Sequence, residues 1–171
     1  MTSKNIVLIG FMGTGKTSVG KILAKRLSRP VVDVDLYIEE NEKKKIHEIF
    51  EKEGESRFRA LEKEAIQKIC KRQGIVITTG GGAVIDQGNF EMLKASGCVI
   101  GLLAKPQTIF NRVKNSHHRP LLTGRDRLKE IEKLLAERKP FYERADFYFD
   151  TDGRTASQVA DLILKTLPAK R

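Results

Sequence analysis

The first apolar run of the chain, Ile6-Val7-Leu8-Ile9, has polar residues before it and glycine after it. Four consecutive apolar residues leave no face for water, so the run predicts a strand buried on both sides, as inside a parallel sheet. Comparable runs recur at Val31-Val32, Ile75-Val76-Ile77 and Cys98-Val99-Ile100-Gly101-Leu102-Leu103, with Phe147-Tyr148-Phe149 near the end. Between them the apolar residues change to helical spacing. Ile22, Leu23 and Leu27 share a face after the first run, and Arg29-Pro30 closes that segment. Ile38, Ile46, Ile49 and Phe50, then Phe58, Leu61, Ala65, Ile66 and Ile69, follow the second run. A helix over 86–95 stops at Gly97, and another starts at Pro106 with Ile109, Phe110 and Val113 turned inward. A further helix over 127–144 carries Leu128, Ile131, Leu134 and Leu135, with Pro140 as a kink or stop. The capping box Thr155-Ala156-Ser157-Gln158 opens a last helix whose inward residues are Val159, Leu162 and Ile163. Regular alternation of strand and helix predicts an α/β three-layer sandwich: a central parallel sheet of about five strands, helices on both faces and right-handed crossovers.

Two stretches do not fit a plain crossover. The helical pattern over 36–73 is too long for one, so a substrate-binding insertion of about 36–60 is expected above the strand ends, broken at Gly54. The polar, basic run 115–125 reads as a mobile lid, with a basic surface loop as the plainer alternative; His117 and His118 within it read as solvent-facing. Otherwise the 171 residues form one domain.

The turn after the first strand is Gly10-Phe11-Met12-Gly13-Thr14-Gly15-Lys16-Thr17, followed by Ser18 and a helix. The pattern G-x-x-x-x-G-K-[ST] cradles phosphates: glycines let backbone N–H groups turn inward, and the helix adds free amide donors and its positive dipole end. Lys16 reaches the outer phosphates, and the Thr17 hydroxyl is placed for the accompanying magnesium ion. A strand-to-helix turn that binds nothing needs neither Lys followed by Thr nor an apolar strand in front. Val31-Val32-Asp33-Val34-Asp35 predicts a short buried strand whose two carboxylates point the same way beside this loop. The plainer reading makes Asp35 the N-cap of a helix starting at Leu36 and Asp33 a turn residue.

Charge and cysteines narrow the choice further. Thirty-two Lys and Arg against 22 Asp and Glu give +10, which suits a partner that is a polyanion. Nucleic acid is disfavoured, since aromatic residues make up only 6% and the basic residues alternate with acids. Cys70 and Cys98 lack metal-binding spacing and read as reduced thiols. With no apolar run of membrane length and a first strand close to Met1, no membrane contact and a cytoplasmic location are expected. Gly80-Gly81-Gly82 marks either a tight turn or a very close approach. From spacing alone, Arg59 pairs with Glu55, and His47 is a surface residue.

Taken together, these residues resemble the shikimate kinase family over nearly the whole chain. The likeness rests on Gly10 to Thr17, Asp33-Val34-Asp35, Gly54-Glu55 with Phe58-Arg59-Ala60-Leu61-Glu62, Gly80-Gly81-Gly82-Ala83, Arg119-Pro120-Leu121-Leu122, and Glu137-Arg138-Lys139-Pro140. The resemblance implies transfer of the γ-phosphoryl group of ATP to the 3-hydroxyl of shikimate, with Mg2+, by a monomer. It implies that Gly13, Thr14, Gly15, Lys16, Thr17 and Ser18 hold the phosphates, and that Asp35 orients the attacking hydroxyl and takes its proton. Arg59 and Arg138 would clamp the acceptor carboxylate, and Gly81 and Gly82 would meet its hydroxyls. Lys16 and Arg119 would neutralise the transferring group, Thr17 would bind the metal directly and Asp33 through water. Arg112 would pack on adenine. Members often carry an Asn-Arg-x-Pro-like adenine loop; here Asp152-Gly153-Arg154 lacks the proline and leaves Arg154 as the matching residue. A gluconate kinase relative would not combine Phe58-Arg59, the triple glycine and Arg119-Pro120-Leu121-Leu122. A regulatory GTPase would need an Asp-x-x-Gly after the third strand and an Asn-Lys-x-Asp, and the chain has neither.

Overall fold

A computed structural model describes residues 4–114 and 126–167. Five strands form one parallel sheet: β1 (Asn5–Gly10), β2 (Val31–Asp33), β3 (Val76–Thr78), β4 (Gly97–Leu103) and β5 (Phe147–Asp150), in the order β2-β3-β1-β4-β5. The helices are α1 (Lys16–Leu27), α2 (Val34–Glu42), α3 (Ile46–Ile69), α4 (Gln87–Ser96), α5 (Pro106–Val113), α6 (Arg127–Tyr142) and α7 (Ala156–Thr166), with a 3-10 turn at Ala83–Ile85. This is the expected α/β sandwich. β1 is central and wholly buried, and its residues alternate between two cores. Ile6 and Leu8 face α1 and α7; Val7 and Ile9 face the opposite layer with Ile66, Leu93, Ile109 and Ile131. Because β3 and β4 flank β1 on opposite sides, the strand order reverses at β1, and the crevice past its carboxyl end is where such sheets bind ligands.

Several expectations are corrected. β2 is an edge strand with Val31 exposed, not a buried one, and it ends at Asp33. Asp35 therefore lies in the first turn of α2, and the period-two argument that aligned it with Asp33 does not apply. The helix N-cap is Asp33, whose side chain accepts from the Asp35 and Leu36 amides, because that earlier carboxylate reaches the free donors first. Leu162 is exposed rather than inward, α7 burying Val159, Ala160 and Ile163. α6 runs through Pro140 to Tyr142.

The stretch 36–60 falls in α2 and the first part of α3. Gly54 interrupts α3 with φ 83 and ψ 170, a conformation that side chains exclude. Ion pairs Lys45–Glu39 and Arg57–Glu42 tie the two helices together, and Lys44–Glu53 ties their connection to α3. No described helix is long and apolar enough to cross a membrane.

Candidate active site

Past β1 the backbone turns through Gly13 and Gly15 at φ 76 and 96, which only glycine adopts without strain, and Gly15 is the N-cap of α1. The amides of the first turn of α1 thus face the cleft with no helical partner. Thr14 stiffens the loop by donating from Oγ1 to the Phe11 carbonyl at 2.8 Å. Lys16 is buried and arches over the loop, its Nζ donating to the carbonyls of Gly10 at 2.7 Å and Phe11 at 2.8 Å.

Asp33 joins this loop to the sheet. Its Oδ2 accepts from Thr78 Oγ1 at 2.7 Å and from Thr17 Oγ1 at 3.2 Å, while Oδ1 caps α2. A hydroxyl and a carboxylate among phosphate oxygens suit a hard cation such as magnesium. Both Asp33 oxygens are thus already engaged within the protein. Among the described residues no cluster of three acidic, His or Cys side chains could hold a metal alone, so such an ion would need the phosphates as ligands.

Asp35 lines the same cleft, but its Oδ1 is enclosed and has no hydrogen-bond partner among the described residues. Burial, reinforced by Asp33 and Glu62, pushes its pKa up to about 7, against the opposing pull of Lys16 and Arg59. Glu62 is 1% exposed, its Oε1 is likewise unpartnered, and burial raises its pKa too. Gly80 explains how two carboxylates crowd together here. A Cβ at that position would stand 2.9 Å from Asp35 Oδ1 and 3.3 Å from Glu62 Oε1. Gly82 has the same function toward Arg59, whose Nη2 and Nη1 lie 2.8 and 2.9 Å from where its Cβ would be. The glycines thus mark a very close approach, and their neighbours are the side chains of the site itself.

Arg59 donates to Glu55 Oε1 from Nη2 at 3.1 Å, the pair that spacing implies, and to Glu62 Oε2 from Nη1 at 2.9 Å. Arg138 comes from α6 on the other side, 9% exposed and over the ring of Phe11 at 5.8 Å. Both guanidiniums line a cleft of about 600 Å3 together with Lys16, Thr17, Asp35 and Gly81, a size suited to small-molecule ligands. Glu39 also lines it, and accepts from the Ile46 amide at 3.0 Å to hold the start of α3.

A second hollow of about 210 Å3 lies on the other side of the loop, lined by Thr14, Gly15, Ser18, Arg112 and Arg154. Arg112 is braced by Gly13 O at 3.1 Å, Thr151 Oγ1 at 2.9 Å and Thr151 O at 2.8 Å, which fixes its guanidinium in place. Arg154 donates to Asp150 O at 2.8 Å.

The expected residues therefore converge on one cleft and its neighbouring hollow. Arg119, His117, His118 and the lid 115–125 lie outside the described residues. Reasoning from sequence overlooked Glu62, whose signal was its position three residues after Arg59 on a helix, and Tyr142, whose hydroxyl donates to the Gly81 carbonyl at 2.6 Å.

Known proteins point the same way as the geometry. The family model described as shikimate kinase matches residues 12–168. A shikimate kinase of Thermodesulfovibrio yellowstonii is 50% identical over 162 residues, covering 95% of this chain and 94% of that one. One from a Sulfurihydrogenibium species is 44% identical over 161 residues, covering 94% and 96%. The structure of shikimate kinase from Acinetobacter baumannii in complex with shikimate superposes with a TM-score of 0.92 at 36% identity, covering 96% of each chain. With a family model matching residues 12–168 and relatives up to 50% identical over nearly the whole chain, the chain belongs to the shikimate kinase family.

Proposed function

We propose that this chain transfers the γ-phosphoryl group of ATP to the 3-hydroxyl of shikimate, yielding shikimate 3-phosphate and ADP. The observation that carries this reading is the single cleft in which Lys16 and Thr17 face Asp35, with Arg59 and Arg138 at its acceptor end. The loop amides of residues 13–18 grip the triphosphate, and the hollow beside Arg112 and Arg154 takes the adenine. Two guanidiniums clamp the planar carboxylate of shikimate, a geometry that an ammonium group cannot match. Asp35 accepts a hydrogen bond from the 3-hydroxyl and takes its proton as the oxygen bonds to the γ-phosphorus and the β–γ bridging oxygen departs with ADP. A base with a pKa of about 7 is ionised enough to work and basic enough to accept the proton. Lys16, with Arg119 from the lid, offsets charge on the transferring group. Magnesium, held by Thr17 and through water by Asp33, would neutralise phosphate charge. The insertion of about 36–60 supplies the wall of the acceptor end, and the chain acts as a cytoplasmic monomer.

The test is ADP release measured with a panel of acceptors. High turnover is expected with shikimate alone; equal or better turnover with gluconate or a nucleoside monophosphate would refute the assignment.

A further inference from the structure

The Gly80–Gly82 turn has a support that comes from elsewhere in the chain. Tyr142, the last residue of α6, has no exposed surface, and its hydroxyl donates to the Gly81 carbonyl at 2.6 Å. Burial pushes this phenol up to about 12 against the pull of the neighbouring Arg138, so it remains a proton donor across the working range. The backbone at residue 142 is fixed as well. Its carbonyl accepts from the Ala145 amide at 3.2 Å and lies 3.2 Å from where a Cβ of Gly101 on β4 would be. Two residues later Arg144 donates from Nη2 to the Val84 carbonyl and lies over the Phe90 ring at 4.1 Å, a second grip on the same segment.

The consequence follows from peptide geometry. Among the described residues no peptide bond is cis, so the carbonyl of Gly81 and the N–H of Gly82 point in opposite directions across one rigid plane. A hydroxyl that draws the carbonyl toward α6 turns the Gly82 N–H away from it. Both glycines line the cleft, and neither amide has a hydrogen-bond acceptor among the described residues. Without that hydrogen bond, a run of three glycines has little to choose between this peptide orientation and its reverse.

We infer that Tyr142 is a positioning residue: it fixes the Gly81–Gly82 peptide so that the Gly82 amide donates into the acceptor end of the cleft, to an oxygen of the substrate. It thereby couples the orientation of that donor to α6, the helix that also carries Arg138. The inference rests on the reading of the cleft as the shikimate site.

The test is Tyr142→Phe, which keeps the ring and its burial and removes only the hydroxyl. KM for shikimate should rise about tenfold, the effect of a misplaced hydrogen bond, while KM for ATP stays within about twofold. In protein labelled with 15N-glycine, saturating shikimate should shift the Gly82 amide resonance of the unaltered chain and move it much less in the variant. A loss of thermal stability with an unchanged KM for shikimate would make Tyr142 a purely structural residue and overturn the inference. A Gly82 amide indifferent to shikimate in the unaltered chain would overturn it too, even if the variant fails to fold. If the unaltered chain turns over shikimate normally, either result refutes this inference alone. An unaltered chain inactive on shikimate would refute the underlying reading as well.

Discussion

Asp35→Asn should make the protein more stable and nearly inactive. In the folded state the Asp35 carboxyl keeps its proton up to about pH 7, whereas its ordinary value is 3.8. Below about pH 4 both folded and unfolded chains hold the proton, and the group costs nothing. As pH rises, the unfolded chain releases its proton first, so stability is lost progressively until the folded carboxyl also ionises at about 7. Three units at about 1.4 kcal/mol each give a ceiling of about 4 kcal/mol. Asp35 still borders the open cleft, and screening there lowers the expected cost to about 1–2 kcal/mol. For a domain of this size the gain in Tm of Asp35→Asn over the parent at pH 8 is about 2–8 °C. Calorimetric scans of both proteins, free of metal and nucleotide, from about pH 4 to about pH 8 should show the gap widening up to pH 7 and then levelling. Turnover of the variant should fall by about 10² or more, the usual contribution of a positioned base. In the parent, kcat/KM for shikimate should rise with pH through about 7 as one proton is lost. A gap independent of pH, or a variant less stable than the parent at pH 8, would refute the account of a carboxylate held against its own solvation.

Gly82→Ala should leave Tm almost unchanged, because the atoms 2.8 and 2.9 Å from the new Cβ are the far end of a flexible arginine. The displaced Arg59 should raise KM for shikimate about tenfold or more with KM for ATP unaffected, as steady-state kinetics would show. Thr155→Ala removes the acceptor that caps the Gln158 amide at 3.2 Å, and should cost about 1 kcal/mol, or about 2–4 °C in a thermal scan.

The sheet was readable because its strands are continuous apolar runs, and the phosphate loop because its glycines and Lys-Thr stand in a fixed register. β2 was misread for a related reason. Val31 to Asp35 has the composition of a strand, yet Asp33 ends it by accepting from the next two free amides, a competition that residue spacing does not reveal. Glu62 entered the sequence reading only as the end of the Phe58–Glu62 stretch, with no role of its own. Only the fold brings it under Gly80, and only there does a carboxylate become buried with an oxygen left unpartnered. Tyr142 escaped notice because its partner is 61 residues away in sequence. Arg59 and Arg138, which both line the cleft, were singled out through family likeness. Spacing alone assigned Arg59 to Glu55, a contact the structure also contains.

Asp33 combines several duties that many proteins divide among separate residues. It ends a strand, starts a helix, anchors Thr78 of the neighbouring strand and receives the hydroxyl of Thr17 from the phosphate loop. A single carboxylate is thus a common point of failure for architecture and chemistry. Altering Asp33 would also loosen the start of α2, the turn that holds Asp35 in the cleft. For a protein engineer this fixes the order of work: redesign of either ligand site starts from the walls of the cleft and leaves its hinge-pin in place.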